Sequence, residues 1–219
     1  MNSGMLPLPP IDQLIQRCRA LAALDLMLSP DWQYRFYSFN SRWSEDEQMA
    51  SMRNGCGDEW WIIFHRDGWA ALKGLGHESA AWSRHRGKLS SALQQSFPAA
   101  MAGFSTEPAF CWDATSFAYF HPAGAPAWIR ANDLTAFAGE EETGEVEFLA
   151  HLHGSPADYA AFATDYYETE VDERIVADIF ALRPISATVV SSLNPNVSLS
   201  EISEELFEEI QYPRPNQRL

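Results

Sequence analysis

Three cysteines among 219 residues, Cys18, Cys56 and Cys111, are too few and too scattered to staple this chain together. Their odd number and irregular spacing exclude a disulfide framework and a zinc ribbon, and predict reduced thiols in a cytosol. Long apolar runs are also missing. The N-terminus has no basic region ahead of its apolar residues, and Asp12, Gln13, Gln16, Arg17 and Arg19 interrupt them. A signal peptide and a membrane span are therefore not expected, and the reading is cytoplasmic. Phosphate loop, dinucleotide glycine fingerprint, zincin helix and basic stripe are all absent, so the sequence implies no cofactor, no metal and no nucleic-acid partner.

Positive charge is the next scarcity, with 15 Lys and Arg against 30 Asp and Glu for a net charge of −15. It is unevenly spread. Residues 1–137 carry 13 acids and 11 bases, whereas residues 138–219 carry 17 acids and 4 bases. Such a field repels nucleic acid and anionic membrane and draws in basic partners. Acidic helices that simply keep a protein in solution are the plainer account of the same numbers. Length suits a single large domain able to bury roughly 70% of its unfolded surface, and the charge break suggests two parts, 1–137 and 138–219, packed on one domain.

The aromatic and apolar spacing predicts an α+β fold. Ile11, Leu14, Ile15, Cys18, Leu21, Ala22 and Leu28 recur at helical spacing after Pro9-Pro10, and Ser29-Pro30-Asp31 ends that helix. An aromatic strand is expected from about Gln33 to Phe39, a second from Glu47 to Arg53, and a third from Glu59 to His65. The third has Trp60, Ile62 and Phe64 on one face and Trp61, Ile63 and His65 on the other, so it belongs in the middle of its sheet. Arg66-Asp67-Gly68 supplies a hairpin turn. A two-residue loop there sets Trp61 opposite Gly74, and a three-residue loop loses that pairing. Leu89 to Phe97 reads as a short helix, and Phe110 to Trp112 and Phe117 to Phe120 bracket a turn at Asp113 to Ser116. Ala127 to Arg130 adds a strand. The sum is a mostly antiparallel sheet of about five or six strands, preceded by an N-terminal helix and followed by a C-terminal helical layer.

Asp133 to Gly144, with Glu140-Glu141-Glu142, is the expected seam. Beyond it, Glu145 to His153, a helix opened by Pro156, and Ile175 to Leu182 all have helical spacing. Ile185 to Leu193 fits a strand by composition and a helix by its Ile185, Val189, Leu193 face, and its company favours helix. Ser198 with Glu201 forms a capping box for a last helix that Pro213 stops.

Candidates for chemistry cluster between Gln48 and Ser79. Cys56 sits between two glycines at a tight turn, which can present a thiol to substrate. Asp58 and Glu59 beside it disfavour the thiolate, and a plain loop cysteine is the simpler account. His77 and Glu78, before Ser79, offer acid–base groups, although consecutive strand residues alternate faces and a solvated loop explains them equally. Both loops are one strand away from the Asp67-Gly68 turn, which places them at the same end of an antiparallel sheet. Glu147, His151 and His153 lack the third and fourth ligands of a metal site. Glu204, Glu205, Glu208 and Glu209 on the last helix form the acidic surface for a basic partner.

The segments YSFNSRW (Tyr37 to Trp43), EQMASMRNGCGDEWWIIF (Glu47 to Phe64), GLGHES (Gly74 to Ser79), TEPAF (Thr106 to Phe110) and SLNPNVSL (Ser192 to Leu199) resemble those of a family of uncharacterised bacterial cytosolic proteins. That resemblance implies no activity, cofactor or site residue. In general character the chain is also similar to toxin-immunity proteins, which are small, acidic α+β domains. Two functions follow as expectations. One is a non-enzymatic interaction protein, immunity- or adaptor-like, that binds a basic protein. The alternative is a small hydrolase or transferase with a site at the sheet edge near His77, Glu78 and Cys56.

Overall fold

A computed structural model describes residues 8–131 and 142–214. Helix α1, Ile11–Leu28, opens directly after Pro10, whose missing N–H costs nothing at a helix start. Its second half, 20–28, is buried all round, because it lies between the sheet and the later helices. Six strands follow: β1 Tyr37–Asn40, β2 Glu47–Arg53, β3 Glu59–His65, β4 Ala70–Leu75, β5 Phe117–His121 and β6 Ile129–Arg130. They form one antiparallel sheet in the order β1-β2-β3-β4-β5-β6, so each strand lies beside its neighbours in sequence. This is the α+β architecture the patterning predicts.

Two-faced β3 joins two cores. Trp60, Ile62 and Phe64 pack with α1 and the C-terminal helices. Ile63 and Trp61 pack on the other face with Leu89, Leu93, Phe104 and Phe110. Those residues come from helix α2, Ala80–Gln95, from α3, Ala102–Thr106, and from the 3₁₀ turn Pro108–Phe110. Helices α4 Glu145–Phe148, α5 Pro156–Tyr166, α6 Glu173–Phe180, α7 Ala187–Leu193 and α8 Leu199–Glu204 complete the first core. Leu149, Tyr159, Val176 and Leu206 share that core with Leu21 and Trp60. Most of the expected seam, and the boundary at 137, lie outside the described residues.

Local chemistry explains the departures from expectation. The first strand starts at Tyr37, not near Gln33, because Asp31 accepts the Gln33 amide at 3.2 Å and turns Trp32–Tyr34 into a 3₁₀ helix. Phe110 to Trp112 forms no strand. Glu107 accepts the Ala109 amide at 3.0 Å and Cys111 takes a left-handed φ of +45°, so the chain turns before β5 pairs with β4. The helix expected from Leu89 starts at Ala80, where Ser79 caps it, and kinks at Arg86 with φ +33°. Between β3 and β4 the loop has three residues, His65 pairs with Trp69, and Trp60 faces Gly74 while Trp61 faces Lys73. Gly74 is obligatory for another reason. A Cβ there would lie 2.1 Å from the Phe117 ring, so the ring covers bare backbone. The segment Ile185 to Leu193 resolves as α7, capped by Ser186, whose hydroxyl accepts from Val189.

Candidate functional site

The Asn54 to Asp58 turn and the His77 to Ser79 loop meet at one end of the sheet. Asn54 Oδ1 accepts the amides of Cys56 at 2.9 Å and Asp58 at 3.1 Å, and its Nδ2 donates to Asp58 Oδ2 at 2.6 Å. The other carboxylate oxygen of Asp58 accepts the His77 backbone amide at 2.9 Å and its Nδ1–H at 2.8 Å. That hydrogen bond raises the His77 pKa, with the charges of Asp58 and Glu78 adding to it. Glu78 is exposed, 3.8 Å from Nε2. Ser79 is spent on capping α2. Cys56 is exposed in the same turn, and no hydrogen bond among the described residues joins its thiol to His77. The structure thus brings His77 to Asp58, a partner that sequence reading treated only as a neighbour of Cys56.

A depression of about 420 Å³ gathers Glu201, Glu204, Glu205, Glu208 and Glu209 beside Asn40 and Arg42. A π-helical turn, Glu205–Glu209, extends α8 and puts these carboxylates on one face. They are not equivalent. Glu205 chelates Arg35, whose side chain is only 2% exposed and also donates to the Ser29 and Pro30 carbonyls. Glu208 pairs with Arg42 at 2.9 Å and with Arg214, and its pKa falls mainly through the hydrogen bond from Arg214. Glu209 carries a raised pKa from partial burial and from Glu205. Sequence reading found four of the five acids and missed Arg35, which lies 170 positions away from Glu205.

Asp25, Lys73 and Glu145 are among the charged side chains buried within the described residues. Asp25 accepts the Tyr37 amide at 2.6 Å and the Tyr159 hydroxyl, and burial lifts its pKa to about 6. Lys73 donates to Glu59 at 2.8 Å and to the Ala114 carbonyl at 3.1 Å, and burial lowers its pKa. Glu145 accepts from Tyr119 at 2.9 Å and from Arg130, fastening α4 to the sheet. A lone acid on the Cys18, Leu21, Leu28 stripe and a lone cation in AALKGL were the available signals.

His151 accepts or donates at 2.7 Å to the Tyr37 hydroxyl, and burial lowers the pKa of both His151 and His153. Among the described residues, no group of three or more His, Cys, Asp or Glu is placed to hold a metal ion. No helix among them is long and apolar enough to cross a membrane. Comparison with protein-family models, with curated proteins and with solved structures finds no match to this chain.

Proposed function

We propose that the chain is a non-enzymatic interaction protein, immunity- or adaptor-like and cytoplasmic, that docks a basic protein partner on the surface of its last helix. The observation that carries this reading is the convergence of five glutamates on one open depression of about 420 Å³. Arg42 and Arg214 offset part of that charge, and both pair with the same Glu208. Glu201 is tied to Ser198 in the capping box, and among the described ion pairs none joins Glu204 or Glu209 to a cation, so these two carboxylates are the ones not engaged in a cap or a salt bridge. An acidic concavity of this kind steers cationic surfaces and raises the rate of encounter in a salt-dependent way.

The hydrolase or transferase reading has the Asp58–His77 pair in its favour. It is weakened because no hydrogen bond among the described residues joins the exposed Cys56 thiol to the imidazole. An acid–base pair with no nucleophile hydrogen-bonded to it supports binding better than covalent catalysis.

The test is a pull-down from native lysate with the parent chain and with the Glu204→Lys, Glu209→Lys double variant. Glu205 is left alone because it neutralises buried Arg35. A basic protein is expected on the parent, released by about 0.5 M salt and absent from the variant. Identical partners on both chains would sink the electrostatic reading.

A further inference from the structure

A second concavity, of about 540 Å³, has Arg35 in its lining. Its lining includes Tyr34, Tyr166, Arg53, Gly55 and Glu168 as well. Tyr34 is 63% exposed and Tyr166 38%, and neighbouring Trp32 is 53% exposed. Three of the most exposed large aromatics described in the chain are therefore gathered at one spot. Aromatic rings kept in water beside a pocket are a feature of recognition surfaces, where they stack on planar groups at little entropic cost.

The two arginines differ in what they have left to give. Arg35 is saturated by the Ser29 and Pro30 carbonyls and by both oxygens of Glu205. Arg53 is held differently. Its guanidinium lies 3.8 Å from the Trp32 ring centroid, and its Nη2 is buried without a hydrogen-bond partner. Nη2 is closed to solvent, so a ligand carboxylate meets the remaining N–H groups of Arg53, which no ion pair among the described residues occupies. Gly55 adds room: with φ +75° and no atom within 4 Å of a would-be Cβ, the turn leaves the approach clear.

From this arrangement we infer that the pocket is a binding site for a small planar carboxylate, its ring set between Tyr34 and Tyr166 and its carboxylate on Arg53. A single negative charge is specified by the surroundings. Arg35 is already paired with Glu205, Arg53 has no ion pair among the described residues, and Glu168 in the lining disfavours a second anionic charge. Planarity is specified by the two tyrosine rings, which accept a flat partner by stacking. The volume lies within the usual range for small-molecule sites. The site does not depend on the acidic surface of the last helix, because Arg53, Tyr34 and Tyr166 belong to β2, the 3₁₀ turn and α5.

The experiment is an NMR titration of the ¹⁵N-labelled full chain with benzoate, read at the Arg53 side-chain Nε–H and the Gly55 amide. Saturable shifts at both are expected. Benzamide, which has the same shape without the charge, is expected to bind at least about tenfold more weakly. Arg53→Gln and Tyr34→Ala are each expected to weaken benzoate at least about tenfold. Equal affinity for benzoate and benzamide, or no saturable shift at Arg53 and Gly55, overturns the assignment, and neither result depends on a variant that must fold. Benzoate binding retained in the Glu204→Lys, Glu209→Lys chain separates this site from the acidic surface.

Discussion

Asp25 sits on the apolar face of α1 with no exposed surface, yet it holds three elements together. It takes the first amide of β1 and the hydroxyl of Tyr159 on α5, so both of its oxygens are used. Its folded pKa of about 6 lies above the ordinary 3.8, hence the native chain keeps a proton that the unfolded chain has already released. This contribution to stability is present at low pH and is lost as pH rises through about 6. Asp25→Asn stays neutral throughout. Its stability relative to the parent should improve by about 2 kcal/mol between about pH 4.5 and 7, read from urea melts at the two values. Asp25→Ala leaves the Tyr37 amide and the Tyr159 hydroxyl without an acceptor and should cost about 3 kcal/mol at about pH 4.5 and about 2 kcal/mol less at about pH 7, because alanine, like asparagine, does not titrate. The position of Asp25 was legible, because it falls seven residues after Cys18 on the helical stripe. Its partners were not, since Tyr37 and Tyr159 meet it only through packing of distant elements.

Strands β2 and β3 carry enough alternating apolar residues to be read directly, and their ends match the sequence pattern because Asn54 to Asp58 is bonded internally as a turn. The register of the next hairpin was not readable. It depends on His65 pairing with Trp69, where the two rings stack at 4.6 Å, and on a three-residue loop that composition alone does not distinguish from a shorter one. Trp32 to Tyr34 misled for a related reason: aromatic content favours strand, and one Asp31 cap outweighs it. At this scale Gly74 is the sensitive position. Gly74→Ala drives a methyl into Phe117 across the β4–β5 ladder and should lower stability by about 3 kcal/mol in chemical denaturation. Phe117→Leu in the same chain should recover part of the loss, so that the double variant is less damaged than the two single changes predict when added.

Closure of the whole molecule relies on contacts between its two ends. Arg35 is neutralised by Glu205, Asn194 Nδ2 donates to the Leu28 carbonyl at 3.0 Å, and Ser41 donates its amide to the Glu209 carbonyl at 2.9 Å. Glu205→Ala strands a buried guanidinium and should cost about 3–5 kcal/mol. Glu208→Ala removes an exposed pair and should cost less than about 1 kcal/mol. Thermal or denaturant melts of the two variants distinguish a residue that closes the fold from one that only decorates it. The acidic surface was legible as a run of glutamates, but its division into structural and free carboxylates required Arg35, which no spacing rule connects to position 205. The all-round burial of the second half of α1 has a consequence in time. During synthesis the six strands can pair in the order they are made, each with the one before it. The outer wall of α1 comes from α6 and α7, which are translated some 150 residues later, a delay of roughly 10–30 seconds at ordinary elongation rates. Through that interval the apolar back of the helix is bare, so nascent chains arrested before α6 should bind hydrophobic dye or a holdase chaperone, and chains arrested beyond Tyr212 should not.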